Sequence, residues 1–271
     1  WSSDVCSSDL AAYNTSETYN VSRTGPRVLS IARKTPTAQY VNAGQVEFEV
    51  TFNESVTGVS TGNFSIDGTG GQTEATIQGF SGSDTAWTIT VNTATGDGAL
   101  SIDLNRNLST ITNLWGDPMT SNFLEGEIYQ IDKTSPAVAA ITLFDPAAPD
   151  TILPQVTFMV SFTESVTSVS AANFLIDATG DQVGAVITDV TGSDQVWYIT
   201  VATADGKGML SIDLNQQLDT IMDLAGNAIT QVFTNGASYN VTGTSPYVTR
   251  IERYQPVDYA VTGLSYVRFL V

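Results

Sequence analysis

The sequence predicts an all-β chain of tandem β-sandwiches, and three observations carry that expectation. Apolar residues alternate with a period of two, clusters of Gly, Ser, Asp and Thr punctuate the alternating runs, and a block of 110 residues occurs twice without a gap. No stretch sustains a 3.6-residue period.

The repeat sets the frame for everything else. Residues 26–135 align with 136–245, and 53 of the 110 positions are identical. Phe52-Asn53-Glu54-Ser55-Val56-Thr57 returns as Phe162-Thr163-Glu164-Ser165-Val166-Thr167, and Asn63-Phe64-Ser65-Ile66-Asp67 as Asn173-Phe174-Leu175-Ile176-Asp177. Gly82-Ser83-Asp84 with Trp87 returns as Gly192-Ser193-Asp194 with Trp197, and Leu100 to Asn105 returns intact as Leu210 to Asn215. Tyr19, Tyr129 and Tyr239 keep the same spacing, as do Pro26, Pro136 and Pro246.

This frame predicts five segments. Residues 25–134 and 135–244 are complete repeats, 11–24 the last strand of a preceding repeat, and 245–271 the truncated start of a third. In that last segment Val267, Phe269 and Val271 match Val46, Phe48 and Val50. Residues 1–10 do not follow the frame, resemble translated adapter sequence and are read as non-native, which removes Trp1 and the sole cysteine, Cys6, from the chemistry.

Within a repeat, Val46, Phe48, Val50 and Phe52, then Trp87, Ile89 and Val91, then Leu100, Ile102 and Leu104 form the alternating runs of half-buried strands. Between them stand Asp67-Gly68-Thr69-Gly70-Gly71, Ser81-Gly82-Ser83-Asp84 and Gly96-Asp97-Gly98. Seven or eight short strands in about 110 residues is the pattern of an immunoglobulin-like sandwich. Trp87 and Trp197 follow the inward parity of their strands and are expected in the cores. Residues 105–122 alternate less and are expected to form a structured loop with a short helical turn. The joints between repeats are short, end in proline and contain a single carboxylate, Asp132, which predicts a semi-extended rod without linker ions.

Composition narrows the function. There are 28 acidic and 10 basic residues, a formal charge of −18, which argues against nucleic acid and anionic membrane as partners. With no histidine, Ser-His and Cys-His nucleophile pairs and histidine metal sites are excluded. No apolar run is long enough for membrane insertion as a helix. Paired carboxylates for glycoside hydrolysis require a cleft between an acid and a base, and nothing else in the repeat signals one, so no catalytic residue is assigned.

The chain resembles the Ig-like tandem repeats of large exported bacterial surface proteins and adhesins. The resemblance covers 11–271 and rests on the Phe-x-Glu-Ser-Val-Thr run, the Asn-Phe-x-Ile-Asp run, the Gly-Ser-Asp…Trp-x-Ile-Thr-Val strand and the Gly-Asn turn before the last strand. It implies a non-catalytic stalk or spacer at the bacterial cell surface, coupled to neighbouring repeats, with a cell-surface or glycan ligand bound elsewhere in the full protein. No cofactor is implied.

Two ligand classes follow from residue types. Asp84, Asp117, Asp194 and Asp223 lie in loops and are candidate calcium ligands, because hard cations take several carboxylate and carbonyl oxygens. Against this, no Asp-x-Asp-x-Asp spacing occurs, and an Asp beside Gly or Ser in a turn ordinarily binds its own backbone. The same structural reading holds for Glu54, as a hydrogen-bonded turn residue, and for Asp103, which points outward on its strand. A melting curve unchanged between millimolar calcium and chelator would remove the ion. Trp115 is the candidate platform for stacking a sugar, and its counterpart Ala225 leaves the second repeat without one. The loop differs between copies, with Asn113 and Asp117 in the first against Asp223 and Asn227 in the second, which argues against a fixed role for it.

Overall fold

A computed structural model describes residues 24–243 and two short strands beyond them. The chain divides into two compact units between Lys133 and Thr134. The expectations for residues 1–10, for 11–23 and for most of 245–271 lie outside the described residues.

Among its described residues, unit 1 contains ten strands, β1 (Val28–Thr35), β2 (Tyr40–Val41), β3 (Gln45–Phe52), β4 (Val56–Thr57), β5 (Phe64–Gly68), β6 (Thr76–Ser83), β7 (Ala86–Asn92), β8 (Gly98–Leu104), β9 (Thr112–Asn113) and β10 (Tyr129–Ile131). Two four-stranded sheets, ordered β1-β3-β7-β6 and β2-β10-β8-β5, enclose the core, and β4 and β9 form a small ribbon. The pairings among these ten strands are antiparallel except β2 with β10. The fold is an immunoglobulin-like β-sandwich.

Unit 2 repeats it with β11 (Val138–Asp145), β12 (Asp150–Thr151), β13 (Gln155–Phe162), β14 (Phe174–Ala178), β15 (Val186–Ser193), β16 (Val196–Ala202), β17 (Lys207–Leu214) and β18 (Tyr239–Thr242). Their orders are β11-β13-β16-β15 and β12-β18-β17-β14. Beyond Gly243, β19 (Glu252–Arg253) pairs antiparallel with β20 (Phe269–Leu270).

Alternation explains why these sheets close on each other. On β3 the side chains of Val46, Phe48, Val50 and Phe52 are buried, while Glu47, Glu49 and Thr51 between them stay partly exposed. Leu100, Ile102 and Leu104 on β8 supply the facing layer. Burying such side chains contributes about 1.5–3 kcal/mol each, the main term holding a sandwich together. Trp87 and Trp197 pack against the cores but are only partly buried, because each stands at the hairpin end of its strand.

Buried polar side chains tie the loops to this core. Tyr129 stacks edge-on to Phe48, with centroids 5.1 Å apart, and its hydroxyl lies 2.6 Å from Pro36 O and 2.9 Å from Glu47 O. Burial pushes its pKa up to about 12, so the phenol stays protonated and donating. Tyr239 makes the same contacts with the Phe158 ring, Pro146 O and Thr157 O. Asn63, fully buried, accepts from Ser60 N (2.6 Å) and donates to Asn107 O (3.1 Å) and Thr110 Oγ1 (2.9 Å). It thereby pins the expected loop, which holds a 3₁₀ turn at Leu108–Thr110 and strand β9.

Candidate functional site

The Gly-Ser-Asp motif builds the β6–β7 hairpin. A Cβ on Gly82 would stand 2.4 Å from Ala86 O at φ +144°, so only glycine fits. Asp84 takes the left-handed φ of +54°, which Asp tolerates better than most residues. Its carbonyl accepts from Val56 N (3.1 Å) and Trp87 Nε1 (3.3 Å), and its carboxylate from Ser83 Oγ (3.4 Å). Asp194 has the same φ and the same partners in Val166 N, Trp197 Nε1 and Ser193 Oγ. Asp84, Trp87 and Leu114 line a shallow hollow of about 320 Å³ on unit 1.

The loop that differs between the repeats turns out to be one device written two ways. In unit 1, Asn113 Oδ1 accepts from Trp115 N (3.0 Å) and Asp117 N (2.9 Å), and Asn113 Nδ2 donates to Asp117 Oδ2 (3.3 Å). In unit 2, Asp223 Oδ1 accepts from Ala225 N and Asn227 N, both at 2.8 Å, and Asp223 Oδ2 accepts from Asn227 Nδ2 (2.7 Å). The amide and the carboxylate have exchanged places while the turn persists. The sequence difference therefore leaves the turn itself unchanged: an Asn–Asp pair closes it in either order.

The exchange alters the surroundings of one further acid. Asn113 Nδ2 also donates to Glu54 Oε2 (3.3 Å), which makes Glu54 a hydrogen-bonded turn residue. In unit 2 the carboxylates of Asp223 and Glu164 approach within 4.8 Å. Asp223 is only 5% exposed. Among the described residues, Asp84, Asp117 and Asp194 belong to no group of three acidic side chains close enough to share an ion.

Trp115 is 59% exposed and Leu114 71%, both carried on the turn that Asn113 closes. Asp103 and Asp213 lie on the outer faces of β8 and β17 and are partly buried. Burial raises the pKa of each, and the nearby charge of Asp67 or Asp177 raises it further. Two fully buried residues were not singled out from sequence. Gln72 donates to Ala94 O (3.2 Å) and Gly96 O and accepts from Ala94 N (3.0 Å), clamping the β7–β8 loop, and Gln182 does the same around Ala204. Their signal was identity between the copies in the otherwise variable segment 71–74.

No protein-family model and no curated protein matches this chain. Among solved structures it is similar to the D0-D1 domain of Intimin, at 13% identity and a TM-score of 0.24, over 81% of this chain and 100% of that one. It is also similar to domains 5–6 of the S-layer protein SbsC, at 18% identity and a TM-score of 0.22, with the same coverage. The sandwich assignment rests on the strand order described above and not on these matches. No helix among the described residues is long and apolar enough to cross a membrane.

Proposed function

We propose that this chain is a non-catalytic structural module of a large extracellular bacterial surface protein, acting as a stalk or spacer that holds a binding element away from the cell. The observation that carries this reading is the repetition of one self-contained sandwich, each copy with its own core, at a gapless interval of 110 residues. Units that fold on their own cores add length without needing a shared active cleft. The absence of histidine and the acidic composition support the non-catalytic, exported part of the reading.

Single-molecule stretching tests it. Two separate unfolding events are expected, each releasing on the order of 36 nm of chain, from about 110 residues at roughly 3.3 Å each. Unfolding of both units in one event, or creep at low force without discrete steps, would overturn the spacer role.

The exposure of Trp115 on a hydrogen-bonded turn supports a second reading, a carbohydrate-binding accessory module. Glycan-array binding that disappears in Trp115→Ala would favour it over the spacer, and no binding would remove it.

A further inference from the structure

The 110-residue frame makes each unit a comparison for the other, and one position at the end of the last strand differs in a way that leaves a space. In unit 1 Lys133 is partly buried, and its Nζ donates to Ala43 O at 3.1 Å. That carbonyl also accepts from Thr93 Oγ1 at 2.7 Å, so both lone pairs are in use. The matching residues in unit 2 are Gly243, Leu153 and Thr203. Thr203 Oγ1 donates to Leu153 O at 2.9 Å, which orients this acceptor as in unit 1, but Gly243 brings no side chain to the second lone pair.

What remains is a groove of about 90 Å³ lined by Leu153, Pro154, Ala204, Gly206, Val241 and Gly243. This is the room of roughly three water molecules within the walls, and the groove is open to solvent along one side, so an unbranched alkyl stem lying in it is only partly enclosed. Residue 243 cannot readily fill it, since its φ is +97° and a Cβ there would stand 3.3 Å from Lys207 Cε. The lining also includes Asp205, where unit 1 has Thr95. The Asp181 carboxylate lies against Gly206, and Lys207 beside Gly243 carries the opposing charge, so one net negative charge remains at the mouth.

We propose that this groove receives a lysine side chain presented by a partner polypeptide. The stem lies along Pro154 and Val241, and the ammonium donates to Leu153 O within the field of Asp205, reproducing what Lys133 does inside unit 1. A primary ammonium is a compact charge on a flexible stem, which suits a narrow groove ending in a carbonyl. The chain's charge of −18 favours encounter with a basic partner. The spacer reading requires no such site, so this inference stands or falls separately.

Amide chemical-shift titration of the whole chain tests it, with Nα-acetyl-lysine methylamide as the probe and its Nε-acetylated form as the control. Saturable shifts at Thr203, Ala204, Gly206 and Gly243 are expected in the millimolar range with the first and not with the second. Asp205→Asn, at an exposed residue, is expected to weaken binding about threefold. Lys133→Ala is expected to open the matching groove in unit 1 and add a second set of shifts at Thr93 to Gly96. No saturable shift in the wild type, equal shifts with the acetylated probe, or no gain in Lys133→Ala would each overturn the proposal.

Discussion

At the residue scale, the two copies act as natural double mutants of each other. Asn113→Asp alone would set a carboxylate against Asp117 and Glu54, each now 3.3 Å from Asn113 Nδ2, at a site only 2% exposed. It is expected to cost about 2 kcal/mol in denaturant unfolding of unit 1. Adding Asp117→Asn recreates the unit 2 arrangement and should recover most of that loss, a coupling of opposite sign readable from the four-variant cycle. A second pair differs without compensation. Ser65 Oγ lies 3.0 Å from Asn105 Oδ1, whereas unit 2 has Leu175, and Asn215 Oδ1 is buried without a hydrogen-bond partner among the described residues. Leu175 is itself 44% exposed, so Leu175→Ser gives up little burial and is expected to stabilise unit 2 by about 1 kcal/mol. Equilibrium denaturation resolves a change of that size.

At the scale of elements, loops are held by side chains that reach back into the sandwich. Gln182 makes hydrogen bonds to both backbone groups of Ala204 from a fully buried position, so Gln182→Ala leaves a cavity in the core and unpairs the partly buried N–H and C=O of Ala204. The expected cost is about 3 kcal/mol, with faster hydrogen exchange at Ala204 as the local readout. On the outer sheet face, Asp213 of β17 and Asp177 of β14 stand close enough that the second charge adds to the burial already raising the Asp213 pKa. A carboxyl whose folded pKa lies above its unfolded value binds its proton more tightly in the folded state. Stability therefore falls as pH rises from 3.8 through the raised value. Asp213→Asn removes that penalty. It should stabilise unit 2 at pH near 7 and give no gain near pH 3, as urea titrations at the two pH values would show.

At the scale of the whole molecule, the separate cores support the mechanical reading proposed above. Tyr129 and Phe48 belong to one cluster, Tyr239 and Phe158 to the other. Force applied along the chain then meets two barriers, and the two-step unfolding expected above follows from nearest-neighbour coupling between self-sufficient units. The acidic surface opposes close approach of like chains and screens with salt, so any association between chains should strengthen as ionic strength rises.

The sequence by itself determined the all-β class, the repeat interval and the inward faces of β3, β7 and β8, because side-chain alternation is a local property that any strand must obey. It also marked the Gly-Ser-Asp turn, whose backbone demands are met within a few residues. Tertiary structure alone decided the rest. Asn113 and Asp223 look unlike on paper, yet the turn they close needs only one amide and one carboxylate, a complementarity visible once both partners stand on the same loop. Trp87 has core parity but lies at a hairpin end, so packing and not periodicity set its partial burial. The groove beside Gly243 depends on residues more than 80 positions apart, from Leu153 to Val241, and on a side chain present only in the other copy. Such a space arises from long-range packing, which no local pattern encodes.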